Sequence, residues 1–186
     1  MFNKRMLRNV VLTISLLTAC GAYARSAPTA PYAFHDYCKV NVEDCTINYN
    51  EPEAFVMTEE IWTLINKINV KVNKQILDVS DMDKHGKNDV WEIPADNIGD
   101  CEDHVLAKRM LLKQAGLPHR AMRITVVLDT TGQGHAVLMI RTDEGDYILD
   151  NLVDHIAKVE DRKEYAFIKR EDGNGYWIWM KHFLGM

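Results

Sequence analysis

Three glycine-bearing turns, set at strand-length intervals, constrain this chain more than any other feature. "TTGQG" (130–134), "DEGD" (143–146) and "GNG" (173–175) separate short runs rich in β-branched, aliphatic and aromatic residues. The runs are "MRITVVLD" (122–129), "HAVLMIRT" (135–142), "YILDN" (147–151), "YAFIK" (165–169) and "YWIWM" (176–180). Connections this short can only reverse the chain into an antiparallel neighbour, because a parallel crossover needs a dozen or more residues. The second half is therefore expected to be an antiparallel meander. Its first run alternates and then becomes wholly apolar at 126–128, which places that end deep in the core.

Helical periodicity fills the stretch before it. Thr58 is positioned to cap a helix whose first turn carries Glu59 and Glu60. Ile61, Leu64, Ile65, Ile68, Val72 and Ile76 then mark one apolar face to about Val79. A polar loop with Trp91 and Pro94 covers 80–99. A second helix starts at Asp100, has Asp103 at the capping-box position, and is stopped by Gly116-x-Pro118. Helices followed by strands predict an α+β domain over 58–186, with N-terminal helices packed on the antiparallel meander. Residues 25–57 contain Pro, Asn and Tyr without periodicity and are expected to form an extended arm.

The 186 residues amount to one domain, and 47% hydrophobic residues suffice for a core. Residues 1–24 stand apart. Lys4, Arg5 and Arg8 precede an apolar run at 10–19, and Ala22-Tyr23-Ala24 forms an A-x-A cleavage site. That is the pattern of a secretory signal, too short for a membrane span. Leu17-Thr18-Ala19-Cys20 offers a second processing site that resembles a lipobox and would leave Cys20 lipid-anchored. Either route implies a periplasmic or secreted protein. Its loss removes three basic residues and no acidic one, so the net charge moves from −5 to −8. No basic cluster interleaved with aromatics is present, which gives nucleic acid no footprint.

Export makes the cysteines informative. Cys38 and Cys45, seven residues apart in "YCKVNVEDC", are expected to pair with each other, stapling the arm. Cys101 is then the unpaired thiol, placed in "GDCEDH" (99–104). Cys101 at a helix start, His135 at the start of one strand and Asp150 at the end of the next are chemically complementary. A thiolate attacks carbonyls, an imidazole moves the proton, and a carboxylate fixes the tautomer. Helix N-terminal backbone donors lower the thiol pKa and supply part of an oxyanion hole. If the hairpin turns about Glu144-Gly145, His135 pairs with Asp154 and Asp150 with Met139. His135 and Asp150 then share a face but stand four residues apart, and Asp154 is a rival orienting carboxylate.

Other chemistry is poorly supplied. After the leader the only serines are Ser26 and Ser80, neither in a G-x-S-x-G elbow. Cys101-x-x-His104 is half a zinc site with no second pair to complete it. Asp81-x-Asp83-x-His85-Gly86, with Glu92 at the twelfth position, mimics an EF-hand loop. His85 replaces an oxygen ligand, however, and Pro94 obstructs an exiting helix, so the stretch reads as a polar loop leading to the site.

"WEIP" (91–94), "GDCEDH" with Lys108 and Leu111 in step behind it, "GHAVL" (134–138) and "LDNL" (149–152) together resemble the bacterial transglutaminase-like cysteine proteinases. The resemblance covers about Ile61 to Trp179 and implies a papain/transglutaminase-like fold. It implies Cys101 as nucleophile, His135 as general base and Asp150, in the family's L-D-N motif, as orienting carboxylate. Adhesin-clipping members of this family are periplasmic, calcium-dependent and restrained by an inner-membrane receptor. Matching their calcium carboxylates points to Asp100 and Glu102, with Asp103 beside them. His104 departs from the family, which usually has tyrosine there.

The carboxylates pose an electrostatic problem. One carboxylate about 5 Å from a thiolate costs roughly 3 kcal/mol at an effective dielectric of about 20, or about two pKa units. A helix terminus returns only about 0.3–1 kcal/mol. A positive partner is needed, either His135 as imidazolium or a bound Ca²⁺ with six to eight oxygen ligands. The competing reading makes Asp100 and Asp103 simple caps and leaves Glu102 facing solvent. The expectation is an exported, calcium-dependent cysteine endopeptidase acting on a protein substrate, with a surface protein or adhesin as the class the resemblance implies. Two alternatives stay open: a transglutaminase or deamidase acting on glutamine side chains, and a non-catalytic calcium-responsive peptide-binding protein. No organic cofactor is implied, and the oligomeric state leaves no sequence signal.

Overall fold

The computed structural model describes residues 27–180; the leader expected at 1–24, with Cys20, and the last six residues lie outside the described residues. The two long helices follow their periodicity. Helix α3 (Glu59–Gln75) is capped by Thr58, whose Oγ1 accepts the Ile61 N–H at 3.2 Å, and it buries Ile65, Ile68, Asn69 and Val72. Helix α5 (Cys101–Gln114) buries Val105, Leu106 and Leu112 and packs against α3 and the sheet. It ends before Gly116, whose φ of +93° takes the chain out of the helix ahead of Pro118. Its start differs from expectation. Asp100 makes no capping bond, and Asp103 turns away from the helix so that its Oδ1 accepts the Glu92 N–H at 2.8 Å.

Six strands form the sheet: β3 (Met122–Leu128), β4 (Gly134–Thr142), β5 (Gly145–Leu149), β6 (Ala157–Lys158), β7 (Ala166–Glu171) and β8 (Trp177–Trp179). All neighbours are antiparallel, in the order β6-β5-β4-β3-β7-β8. The meander therefore covers β3 to β6. The chain then crosses back, and the β7–β8 hairpin extends the other edge beside β3. One face of the sheet packs on the helices through Ile124, Leu138, Ile140 and Leu149, while Val127, Val137, Met139, Ile148 and Phe167 form a second cluster.

The β4–β5 register corrects the sequence reading. The reversal falls on Asp143-Glu144, with Thr142 opposite Gly145 (φ +120°) and Leu138 opposite Leu149. Continuing that pairing by one step sets Asp150 beside Val137, two residues from His135 and on its face. The expected separation of four residues is halved.

The arm is also different. Residues 25–57 were expected to be extended, yet they carry helix α1 (Tyr32–Val40) and the single turn α2 (Val42–Cys45), closed on each other by the Cys38–Cys45 disulfide. The aromatic residues explain the difference, because α1 lays Ala33, Phe34 and Tyr37 into the core. Phe34 meets Trp91 edge-on at 5.3 Å and Trp177 at 5.8 Å. The loop at 80–99 contains helix α4 (Asp81–His85) and ends in β2 (Ile98–Gly99), which pairs in parallel with β1 (Leu77–Asp78) just ahead of the loop and leads straight into α5. Among the described residues no helix is long and apolar enough to cross a membrane.

Candidate active site

The start of α5 and the start of β4 border one cleft, and the end of β5 reaches His135 through Asp150. The cleft has a volume of about 370 Å³, and Pro31, Asp89, Trp91, Glu102, His135 and Lys169 contribute to its lining. Cys101 sits half-buried at the first position of α5, next to the cleft. Its Sγ donates to Glu102 Oε2 at 2.9 Å, and the backbone N–H of Ala136, the residue after His135, is directed at the sulfur. Burial, and then the Glu102 carboxylate, push the thiol well above its ordinary pKa; the Ala136 N–H opposes them.

His135 meets Asp150 through Nε2, 2.9 Å from Oδ1. That leaves Nδ1 on the ring edge away from the carboxylate. Asp150, not Asp154, is the residue at the imidazole; Asp154 Oδ1 instead accepts from Asn73 Nδ2 at 3.1 Å. The same Asn73 amide donates to the Asp150 carbonyl at 2.9 Å, so α3 holds the loop that carries Asp150. The Asp150 side chain is fully buried. Against the cost of that burial, hydrogen bonds from His135, Tyr165 and the Leu152 N–H hold its carboxyl below the usual carboxylate range. Arg162 also reaches it, with Nη2 at 2.5 Å from Oδ2. Neither Arg162 nor Tyr165 is marked by any sequence motif, because only the fold returns residues 162–165 to the β4–β5 end.

His104, one turn into α5, is buried, and both ring nitrogens lack a hydrogen-bond partner among the described residues. Burial lowers its pKa to about 4, so it sits neutral in the core. It belongs to neither cluster of candidate metal ligands, which removes the half zinc site. The EF-hand-like pattern also dissolves: Asp81 to His85 fold into α4, and Lys84 binds Glu92 at 2.5 Å and Asp96 at 3.2 Å.

Asp81 has a different place, one that sequence spacing missed. It is buried, and one oxygen each from Asp81, Asp100 and Asp103 lie within 4.8 Å of one another. A second group, Asp100, Cys101 and Glu102, adjoins it. Asp81 Oδ1, Asp100 Oδ1 and Asp103 Oδ2 are buried without a hydrogen-bond partner among the described residues. Burial, followed by Glu102 and its neighbouring carboxylates, raises Asp100 to about 9; burial raises Asp103 to about 7. Three adjoining buried carboxylates, each with one oxygen that has no hydrogen-bond partner among the described residues, are a costly arrangement without a cation, and hard oxygen ligands suit a divalent ion such as calcium. The cluster fits a metal ion.

A family model described as bacterial transglutaminase-like cysteine proteinase (BTLCP) matches residues 24–183. Among solved structures, calcium-bound LapG of Legionella pneumophila is 27% identical with a TM-score of 0.56, over 63% of this chain and 68% of that one. EGTA-treated LapG from the same organism is 28% identical with a TM-score of 0.56, over 64% and 68%. A further LapG structure is 29% identical with a TM-score of 0.56, over 63% and 67%. No curated protein matches. The family match spans most of the sequence, and the chain belongs to the bacterial transglutaminase-like cysteine proteinases.

Proposed function

We propose that the chain is an exported endopeptidase that cuts a protein substrate through Cys101, His135 and Asp150. The observation that carries the reading is the 2.9 Å contact between His135 Nε2 and a buried, anionic Asp150, with His135 lining the same cleft as Asp100 and Glu102, the residues on either side of Cys101. The acceptor carboxylate favours a proton on Nε2, which leaves Nδ1 as the base. In the first step the thiol turns from Glu102 and gives its proton to Nδ1. The thiolate attacks the peptide carbonyl carbon while the N–H groups at the start of α5 face the developing oxyanion. Collapse of the tetrahedral species breaks the C–N bond, and the imidazolium returns its proton to the departing amine. Water, deprotonated by the same nitrogen, then releases the acyl group and restores the thiol.

Asp81, Asp100 and Asp103, with Glu102 alongside, are the residues proposed to hold calcium. When bound, the ion supplies positive charge that offsets the carboxylates around the thiol. Support comes from the three unpartnered oxygens and from a relative whose structure is calcium-bound. The proposed location, argued from the signal-like pattern at 1–24, is the periplasm or the cell exterior, with a lipid anchor if Cys20 is the processed residue. A surface protein or adhesin is the proposed substrate class, and an inner-membrane receptor the proposed restraint. The test compares the exported proteomes of strains carrying the native chain and Cys101→Ala, with and without a calcium chelator. Proteins left uncut in both the mutant and the chelated sample support the reading; identical proteomes overturn it.

A further inference from the structure

We infer that Arg162 and Tyr165 are positioning residues that keep Asp150 ionised with one oxygen fixed on the imidazole, and so hold the proton on Nε2 of His135. The inference rests on the triad proposed above. An ionised carboxylate has about four lone-pair positions and accepts only. In Asp150 all four are filled, two on each oxygen. Oδ2 accepts Arg162 Nη2 at 2.5 Å and Tyr165 OH at 2.7 Å; Oδ1 accepts the Leu152 N–H at 3.1 Å and meets His135 Nε2 at 2.9 Å. With Oδ2 held by two donors, the carboxylate cannot swing about its terminal torsion to offer the other oxygen. With Oδ1 acceptor-only, Nε2 must donate, and the lone pair is left on Nδ1.

The same two residues hold the ring as well as the carboxylate. The Arg162 guanidinium lies over the Tyr165 ring at 5.0 Å, and that ring lies 5.7 Å from the imidazole of His135. The phenol thus neighbours both the guanidinium and the imidazole, with Phe167 edge-on to it at 6.4 Å. Arg162 is itself steadied by Glu164, 2.7 Å from its Nε, and its side chain is almost wholly buried. A permanent cation beside a buried anion means Asp150 stays ionised without taking the imidazole's proton. The Tyr165 hydroxyl stays protonated, since burial and then Asp150 push its pKa upward. It remains a donor throughout.

The full chain tests this without a known substrate, by the rate at which iodoacetamide alkylates Cys101 and by the ¹⁵N shifts of the His135 ring. Arg162→Gln should slow alkylation by about ten-fold or more, and Tyr165→Phe by about five-fold, in keeping with loss of bonds to a charged acceptor. In both, the His135 nitrogens should shift from a single protonated Nε2 towards a mixture of tautomers. Arg162→Lys, which keeps the charge, should recover part of the rate. Native rates and a single tautomer in Arg162→Gln and Tyr165→Phe, with Asp150→Asn clearly slowed, would overturn the inference. Asp150→Asn reacting at the native rate would instead remove the triad on which it stands. Should Arg162→Gln fail to fold, Tyr165→Phe decides, because it keeps the ring and deletes only the hydroxyl.

Discussion

At the scale of single residues, the thiol is governed by charges on its own helical turn. Glu102 accepts the Cys101 proton at 2.9 Å and is the main charge opposing ionisation. Glu102→Gln should therefore speed iodoacetamide labelling of Cys101 in EGTA by about ten-fold, equivalent to about one pKa unit. In calcium the gain should shrink, because the ion already offsets the carboxylates; an equal gain in both buffers would argue against metal at this cluster. The places of Cys101, His135 and Asp150 at a helix start and at strand ends were legible from local pattern, but the pattern left Asp154 as a rival, and only the family resemblance preferred Asp150. Asp81 was visible only as part of a calcium-loop pattern that the fold does not adopt. Arg162 and Tyr165 were invisible, since twelve and fifteen residues separate them from Asp150 and nothing local marks a return of the chain.

At the scale of elements, caps and close approaches give contrasting tests. Thr58→Ala removes the α3 cap and should cost about 1 kcal/mol, lowering the melting temperature by about 2–4 °C with calcium binding unchanged. Gly99→Ala should behave oppositely. A Cβ there would fall 2.3 Å from Asp103 Oδ2, so the carboxylate must leave its place. Calcium affinity by titration calorimetry should fall by about ten-fold or more, the loss expected when a charged ligand is displaced. The start of α3, the extent of α5 and the strands β3, β4, β5, β7 and β8 were readable from period and turn residues. Helix α3, however, stops at Gln75 rather than near Val79 because Leu77 and Asp78 pair with β2, and β6 carried no sequence signal. The β4–β5 register was not readable either: a two-residue reversal one position earlier keeps the same glycine in the turn yet moves every partner. Helix α1 escaped notice because its stability comes from Phe34 and Tyr37 reaching distant aromatic partners, a tertiary effect that periodicity does not report.

For the whole molecule, the acidic cluster links pH, metal and stability. Burial, and then the neighbouring carboxylates, push Asp100 up to about 9 and Asp103 up to about 7, above the ordinary aspartate value of 3.8. Between those limits the folded state binds more protons than the unfolded one, so metal-free stability should decline as pH rises from about 4 towards 9. Calcium binds the deprotonated form, and its stabilisation should grow over the same range. Melting curves in EGTA and in calcium should accordingly diverge from pH 5 to pH 8; a constant gap would contradict the assignment. The N-terminal segment also belongs to this whole. Lys169 Nζ bonds the Thr29 carbonyl at 2.8 Å, Pro31 helps to line the cleft, and Phe34 is wedged between Trp91 and Trp177. A recombinant fragment trimmed to begin at residue 58 would thus discard part of the wall of the cleft and uncap two tryptophans. Anyone preparing this enzyme for crystals should keep everything from residue 27 onward.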